Sequence, residues 1–477
     1  MGTKDIILRG ARVITSSSDG ITDDAISDGK FTAPTSIEPQ TATEIDCTGA
    51  VLTPGGVDVH CHIEQLSGMG LMNADTFETA TRSALLGGTT TTVSFSPQTK
   101  DTFSASAKDY AQRASTGAMT DHAFHIIASD LSAPSALQDL AKAVQAGHRS
   151  IKVFTTYNIQ LSDREICDVL ALANTEGALV CVHAENDGLI GWTKDTLLAR
   201  GKTEPKWHAV SHPRLAEIDA VERLIRFAEF FATPVMLFHI STHEAVDAIR
   251  SAKTRGVPVW AETCPHYLFM RADDLDVPGD EGAKWMCSPP QRTEHDHAAR
   301  WGGRADGTLS IVSSDHAPYR YDETGKLAAG PGADFSKKAN GLPGLETRMP
   351  LMFDAIVSQG RLDGQAFVRT CCTEPARLHS LANKGDIAPG YDADLVVWDP
   401  NTTRTFGPND LRDNVGDNPW DGTTITGWPT RVMRRGEWVV VDDQVRAPCG
   451  SGRWCPRPHM GIKTDATPAT EYTQATS

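Results

Sequence analysis

Between about residues 52 and 370 the chain alternates short apolar runs with longer stretches whose apolar residues recur at helical spacing. This is the pattern of repeated βα units. Eight runs predict strands: GGVDVH near Gly56, TTTVSF near Thr90, AFHIIA near Ala123, SIKVF near Ser150, ALVCVH near Ala178, PVMLFH near Pro234, VPVWAE near Val257 and LSIVSS near Leu309. Helical patterns lie between most of them: Phe77 to Leu86, Ser135 to Ala146, Asp163 to Asn174, Arg214 to Phe231 and His243 to Arg255. Eight units is the count for a closed (β/α)8 barrel. A doubly wound open sheet has the same periodicity and is the alternative at this point.

The two ends read differently. Residues 5 to 51 and about 385 to 450 hold short alternating runs (IILRGARVIT, ADLVVWDP, RVMRRGEWVVVDD) separated by Ser-Asp-Gly and Pro-Gly-Tyr-Asp turn chemistry, which predicts hairpin strands. Two such ends flanking one barrel meet most simply as one small β domain, expected as a β-sandwich. The expected division is 1–52 and 376–459 for that domain, 53–375 for the barrel, and 460–477 for a polar tail that is disordered or an arm onto a neighbouring subunit.

Composition narrows the function. The 477 residues include 61 Asp plus Glu against 45 Lys plus Arg, a net charge of −16. No basic run offsets this locally, which argues against a nucleic-acid partner. The ten cysteines form no C-x-x-C pair, so neither a disulfide framework nor a thiolate zinc site is expected. The first residues lack the apolar core of a signal peptide, and Ile6 occupies the Ser/Thr place of a myristoylation motif. No run approaches about 18 apolar residues, so no membrane association is expected and the expected location is the cytosol.

Candidate chemistry gathers at strand ends. In His60-Cys61-His62 the two imidazoles, two residues apart on a strand, face one side and can reach one metal. The similar His295-Asp296-His297 follows no strand and is read as a solvated loop. Lys152 lies inside SIKVF, His183 ends ALVCVH, His239 ends PVMLFH and Asp315 follows LSIVSS. All fall at or near the C-terminal ends of strands, where such barrels place active sites. Each His singly reads as a hydrogen-bonded core residue; together with Lys152 and Asp315 they read as a metal site. A lysine among apolar residues is costly when charged. Either it snorkels to solvent, or, as a neutral amine, it adds carbon dioxide to become a carbamate that bridges two cations.

GGVDVHCH, SIKVFTTY, VHAEND, FHIST, ETCPHYL, SSDHAPY and the closing GEWVVVDD segment resemble the cyclic amidohydrolases. MCSPPQR at 286 to 292 and NGLPGLETR at 340 to 348 are most similar to the dihydropyrimidinase and hydantoinase family, and the likeness runs from Asp5 to about Arg457. The resemblance implies a binuclear zinc site: His60 and His62 on one ion, His183 and His239 on the other, N6-carboxylated Lys152 bridging, and Asp315 on the first ion beside a bridging hydroxide. It also implies hydrolysis of a ring amide, with Asp315 moving the proton to the leaving nitrogen, Tyr157 donating to the oxyanion, and backbone groups of Ser288 and Asn340 holding the imide edge of a small neutral ring. Family members are commonly homotetramers or dimers, so a homo-oligomer is expected.

The expected substrate is a 5-substituted hydantoin or a dihydropyrimidine, opened to an N-carbamoyl amino acid. The alternatives are an allantoinase or another cyclic imide or lactam hydrolase, and, in a different class, a non-catalytic scaffold relative similar to the collapsin-response mediator proteins. Those relatives have lost metal ligands, whereas all six positions here can coordinate. The sequence departs from the family at Thr155 and Thr156, usually more apolar, and at His266, usually Gln. Leu66, Met69, Leu71 and Met72 in the loop 63–76 form either a lid over an apolar substituent or packing beneath the loop.

Overall fold

Eight parallel strands carry the middle of the chain: Gly56–Cys61, Thr89–Ser96, Asp121–Ile127, Ser150–Phe154, Leu179–His183, Val235–Leu237, Val259–Thr263 and Ile311–Val312. The computed structural model describes residues 5–458, 462 and 466–476. Each barrel strand pairs with the next in chain order. After the eighth, His316 bridges in parallel to Cys61, and the His62 N–H donates to the His316 carbonyl at 2.7 Å. The sheet therefore curls back on its first strand as a barrel, not a doubly wound open sheet. Helices cover its outer face, which is why the strands read as unbroken runs; even the four threonines of Thr89–Ser96 are buried.

Local signals place the helices. Thr76 and Thr79 form a capping box that starts Phe77–Leu86, and Ser162 with Glu165 does the same for Asp163–Glu176, which stops at Gly177 in the left-handed region (φ +65°). Helices Phe103–Gly117 and Asp187–Ala199 escape the sequence pattern. In the latter only Ile190 is buried, so almost no apolar stripe exists to detect.

The His295-Asp296-His297 segment is not a solvated loop. It forms the first turn of the helix Glu294–Ala305, opened by a Thr293–Asp296 capping box. His295 is exposed, but Asp296 and His297 are buried. The Arg214 guanidinium donates to Asp296 at 2.8 Å, and His297 Nε2 donates to the Met270 carbonyl at 2.7 Å. The acidic side chain is drawn inward by its arginine, which no spacing rule on one helix reveals.

Both chain ends build one mixed nine-stranded sheet. Its order runs Gln444–Val445, Glu437–Val441, Thr424–Arg434, Leu395–Thr405, Val51–Pro54, Ile6–Ile14, Asp19–Ser27, Lys30–Thr32, with Thr43–Asp46 also paired to Ile6–Ile14. The ends join where Leu395–Thr405 runs antiparallel to Val51–Pro54, Leu395 opposite Pro54 and Trp398 opposite Val51. One core of this sheet draws on both halves, with Leu8, Val13, Phe31, Leu52, Leu395 and Met433 in contact. A buried ion network fastens the sheet to the barrel: Lys384 reaches Asp121, at the start of the third barrel strand, at 2.6 Å and Asp394 at 2.8 Å.

Of the 460–477 tail, residues 460, 461, 463–465 and 477 lie outside the described residues. Ile462 is buried, and Thr470–Thr476 is helical, with the Ala469 N–H donating to the Phe230 carbonyl. Among the described residues no helix is long and apolar enough to cross a membrane.

Candidate metal centre

His60 and His62 stand at the end of the first barrel strand, and their rings converge on Asp315. His60 Nε2 lies 3.0 Å and His62 Nε2 3.6 Å from Asp315 Oδ1. The outer nitrogens are already engaged: His60 Nδ1 donates to Glu262 at 2.7 Å and His62 Nδ1 to the Gln65 side-chain oxygen Oε1 at 2.6 Å. Each neutral ring thus turns a lone pair toward a carboxylate. Lone pairs of three donors facing one another fit a cation at their centre. Against the lowering effect of burial, the Glu262 and Asp315 carboxylates favour positive charge at His60, the same pull that a cation at this point would answer.

The second group adjoins the first. His239 is 5.5 Å from His60 and 4.4 Å from His183 between ring centroids. His239 Nδ1 is buried with no hydrogen-bond partner among the described residues, an orphan that a ligand would satisfy. His183 Nε2 bonds Glu185 at 2.9 Å, which leaves Nδ1 open. Lys152, fully buried, lies among these groups with its Nζ 4.3, 4.9 and 5.4 Å from the Phe238, Phe154 and Phe95 rings. Among the described residues it belongs to no ion pair, and burial lowers it to about 8, so it does not snorkel. A less costly amine is the form that adds carbon dioxide.

Backbone strain marks the same place. Asp315, His239 and Tyr157 hold φ of +48°, +42° and +73°, in the region that costs a non-glycine residue energy and that clusters at functional sites. The Tyr157 ring is 5.0 Å from His183. Burial first, then the Glu185 charge, holds its phenol well above the usual range, so it remains a donor. Ser288 is buried with its hydroxyl 3.2 Å from His208 Nε2. Asn340 is half-buried; the next residue, Gly341 (φ +139°), donates its N–H to Met286 at 2.7 Å and so brings the loops of Ser288 and Asn340 side by side.

Sequence reasoning missed the supporting residues. Glu262, at the end of the seventh strand, bonds both His60 and the His239 N–H. Glu185 links His183 to His212, 2.9 Å from each; two residues past His183, it carried a detectable signal. Replacing Glu262 by Gln is expected to weaken metal affinity by about 10-fold or more, measured by chelator competition, with the fold unchanged. At the departures from the family, the Thr155 hydroxyl bonds the His183 and Glu185 carbonyls and the Thr156 hydroxyl bonds Asp187. His266 approaches Cys264 and Asp315, each offering one ligand atom within 4.8 Å of the others. Leu66, Met69 and Met72 are exposed, not packed beneath their loop, whereas Leu71 is half-buried.

A barrel with buried His and Asp donors converging at the C-terminal ends of its strands defines a metal-dependent hydrolase. The amidohydrolase family profile matches residues 51–439. A D-hydantoinase of Streptomyces coelicolor is 37% identical over 461 residues, covering 94% of this chain and 97% of that protein. A D-phenylhydantoinase of Escherichia coli O81 is 35% identical, covering 89% and 91%. The crystal structure of the dihydropyrimidinase from Brevibacillus agri NCHU1002 superposes with a TM-score of 0.92 at 33% identity, over 96% of this chain and 100% of that one. This chain belongs to the dihydropyrimidinase and hydantoinase family of metal-dependent cyclic amidohydrolases.

Proposed function

We propose that this protein opens the ring amide of a cyclic ureide, a 5-substituted hydantoin or a dihydropyrimidine, to an N-carbamoyl amino acid. The convergence of His60, His62 and Asp315 beside His239, His183 and Lys152 carries this reading. In it, His60, His62 and Asp315 would hold one divalent ion, His183 and His239 a second, and N6-carboxylated Lys152 would contribute an anion to both, with zinc the first choice for imidazole and carboxylate donors. Two such ions, when bound, polarise a carbonyl and supply nucleophilic water near neutral pH.

The chain's own groups do the rest. Asp315 accepts the proton of the attacking water and delivers it to the leaving ring nitrogen. The Tyr157 hydroxyl donates to the oxygen that gains charge. Backbone groups of Ser288 and Asn340 pair with the imide edge and fix the ring against attack at the wrong carbonyl. The exposed apolar side chains of Leu66, Met69 and Met72 suit an apolar 5-substituent. A non-catalytic scaffold role has little support, since all six ligand positions are filled by residues able to coordinate. The ten cysteines, none disulfide-bonded, support a cytosolic location, and a homo-oligomer, dimer or tetramer, is part of the proposal.

The test is metal analysis joined to a panel of hydantoin, 5-substituted hydantoins, dihydrouracil and allantoin. About two divalent ions per chain and N-carbamoyl products from the hydantoins or dihydrouracil are expected. Turnover of allantoin alone transfers the reading to an allantoinase, and a metal-free, fully active preparation overturns the mechanism.

A further inference from the structure

A second group of buried donors inside the barrel has no part in the proposed hydrolysis. Cys181, on the fifth strand, is the register partner of Lys152 and joins the interior cluster of Val59, Phe95, Met236, Phe238 and Leu378. His125, on the third strand, donates Nε2–H to the Val59 carbonyl at 2.9 Å, which leaves the Nδ1 lone pair 3.8 Å from Cys181 Sγ. His379, just beyond the helix Glu374–Leu378, donates Nδ1–H to the Pro375 carbonyl at 3.1 Å. Its Nε2 is buried and has no hydrogen-bond partner among the described residues. One donor atom from each of the three lies within 4.8 Å of the other two. Their relative exposures are 0%, 0% and 1% for His125, Cys181 and His379.

We propose that His125, Cys181 and His379 form a separate site for a soft monovalent cation, copper(I). Three observations support it. Both imidazoles have their outer N–H tied to a backbone carbonyl, the arrangement that fixes a ligating histidine's tautomer and aims its other nitrogen at a metal. With bonds of the zinc length, about 2.3 Å to sulfur and 2.0–2.1 Å to nitrogen, one S···N edge of a trigonal site is about 3.8 Å, the separation found between Cys181 and His125, and the His379 donor lies within 4.8 Å of both. A thiol hydrogen bond would account for that pair alone and would leave His379 Nε2 unsatisfied beside it. Arg457 sets a limit on the ion: it is fully buried and donates to Ser150 Oγ and the Phe124 carbonyl, yet pairs with no carboxylate among the described residues, so whatever binds nearby must add no further positive charge.

Charge and coordination select the ion. Binding replaces the thiol hydrogen: the S–H bond breaks, the proton leaves to solvent, and the thiolate takes the cation. A thiolate with a monovalent ion is neutral and adds nothing to the charge of Arg457, whereas a divalent ion adds one more. Zinc sites with thiolate ligands take four donors, and among the described residues no fourth His, Cys, Asp or Glu joins this group. Three soft-to-intermediate donors in an apolar setting suit copper(I).

The full-length protein with its catalytic metals is titrated anaerobically with chelator-buffered copper(I), and a second sample is produced in copper-supplemented medium. Released metal and X-ray absorption are then measured. One copper per chain beyond the catalytic ions, in a three-coordinate shell of one sulfur and two nitrogens, is expected. His379→Gln and Cys181→Ser should each weaken retention at least about tenfold, with the catalytic metal content of His379→Gln unchanged. Copper that enters only by releasing catalytic metal, a sulfur-only shell, equal retention in His379→Gln, or no extra copper by either route overturns the proposal. If Cys181→Ser does not fold, His379→Gln and the one-sulfur, two-nitrogen shell decide.

Discussion

Lys152→Ala is expected to lower kcat/KM at least about 1,000-fold, a loss of about 4 kcal/mol of transition-state stabilisation, and to reduce the bound metal. The side chain sits at the centre of the strand Ser150–Phe154 with three aromatic rings around its Nζ, a place where, among the described residues, an unmodified ammonium forms no ion pair. As a carbamate it would join both ions; as alanine it removes that anion and leaves the imidazoles to hold two cations unaided. The cavity left by the side chain can admit a short carboxylate such as acetate or propionate. Partial recovery of activity in its presence, with metal content rising in step, is the expected signature. Undiminished turnover in the variant rejects the carbamate.

Asp315→Asn is the second large effect, a fall in kcat of about 10²–10⁴-fold. The amide keeps the size of the carboxylate and one oxygen toward His60 and His62, but it cannot accept the proton of the attacking water. Burial opposes ionisation of Asp315, yet the charge of His60 and hydrogen bonds from His60 and His62 hold its carboxyl well below the usual range. A carboxylate can accept that proton, which the amide cannot. Loss of kcat with retained metal separates this proton-handling role from a ligand role; loss of the metal itself assigns Asp315 to coordination alone.

The barrel was legible because its strands are covered on both faces and so read as continuous apolar runs of strand length. The ends of those runs also placed His60, His183 and His239, since a strand's last residue is fixed once the strand is. What stayed hidden depends on neighbours across the sheet. Glu262 supports His60 from a strand far away in sequence, and ETCPHYL, though part of the family likeness, gives no hint of which partner its glutamate takes. His297 was misread for a related reason: at helical spacing His295 and His297 point to different faces, one to solvent and one to the Met270 carbonyl. Asp187–Ala199 was invisible because a helix that buries one side chain leaves no period to find.

The pairing of Val51–Pro54 with Leu395–Thr405 has a consequence for the chain's birth on the ribosome. The first strand is made roughly 340 residues before its partner, which at about 5–20 residues per second means roughly 20–70 s of synthesis. Through that interval the N-terminal strands carry an open edge and half a core, with Leu8, Val13 and Leu52 waiting for Leu395 and Met433. The last-made strands thus close the first-made sheet, and a chain halted before residue 395 leaves a sticky, unfinished edge instead of a shorter enzyme.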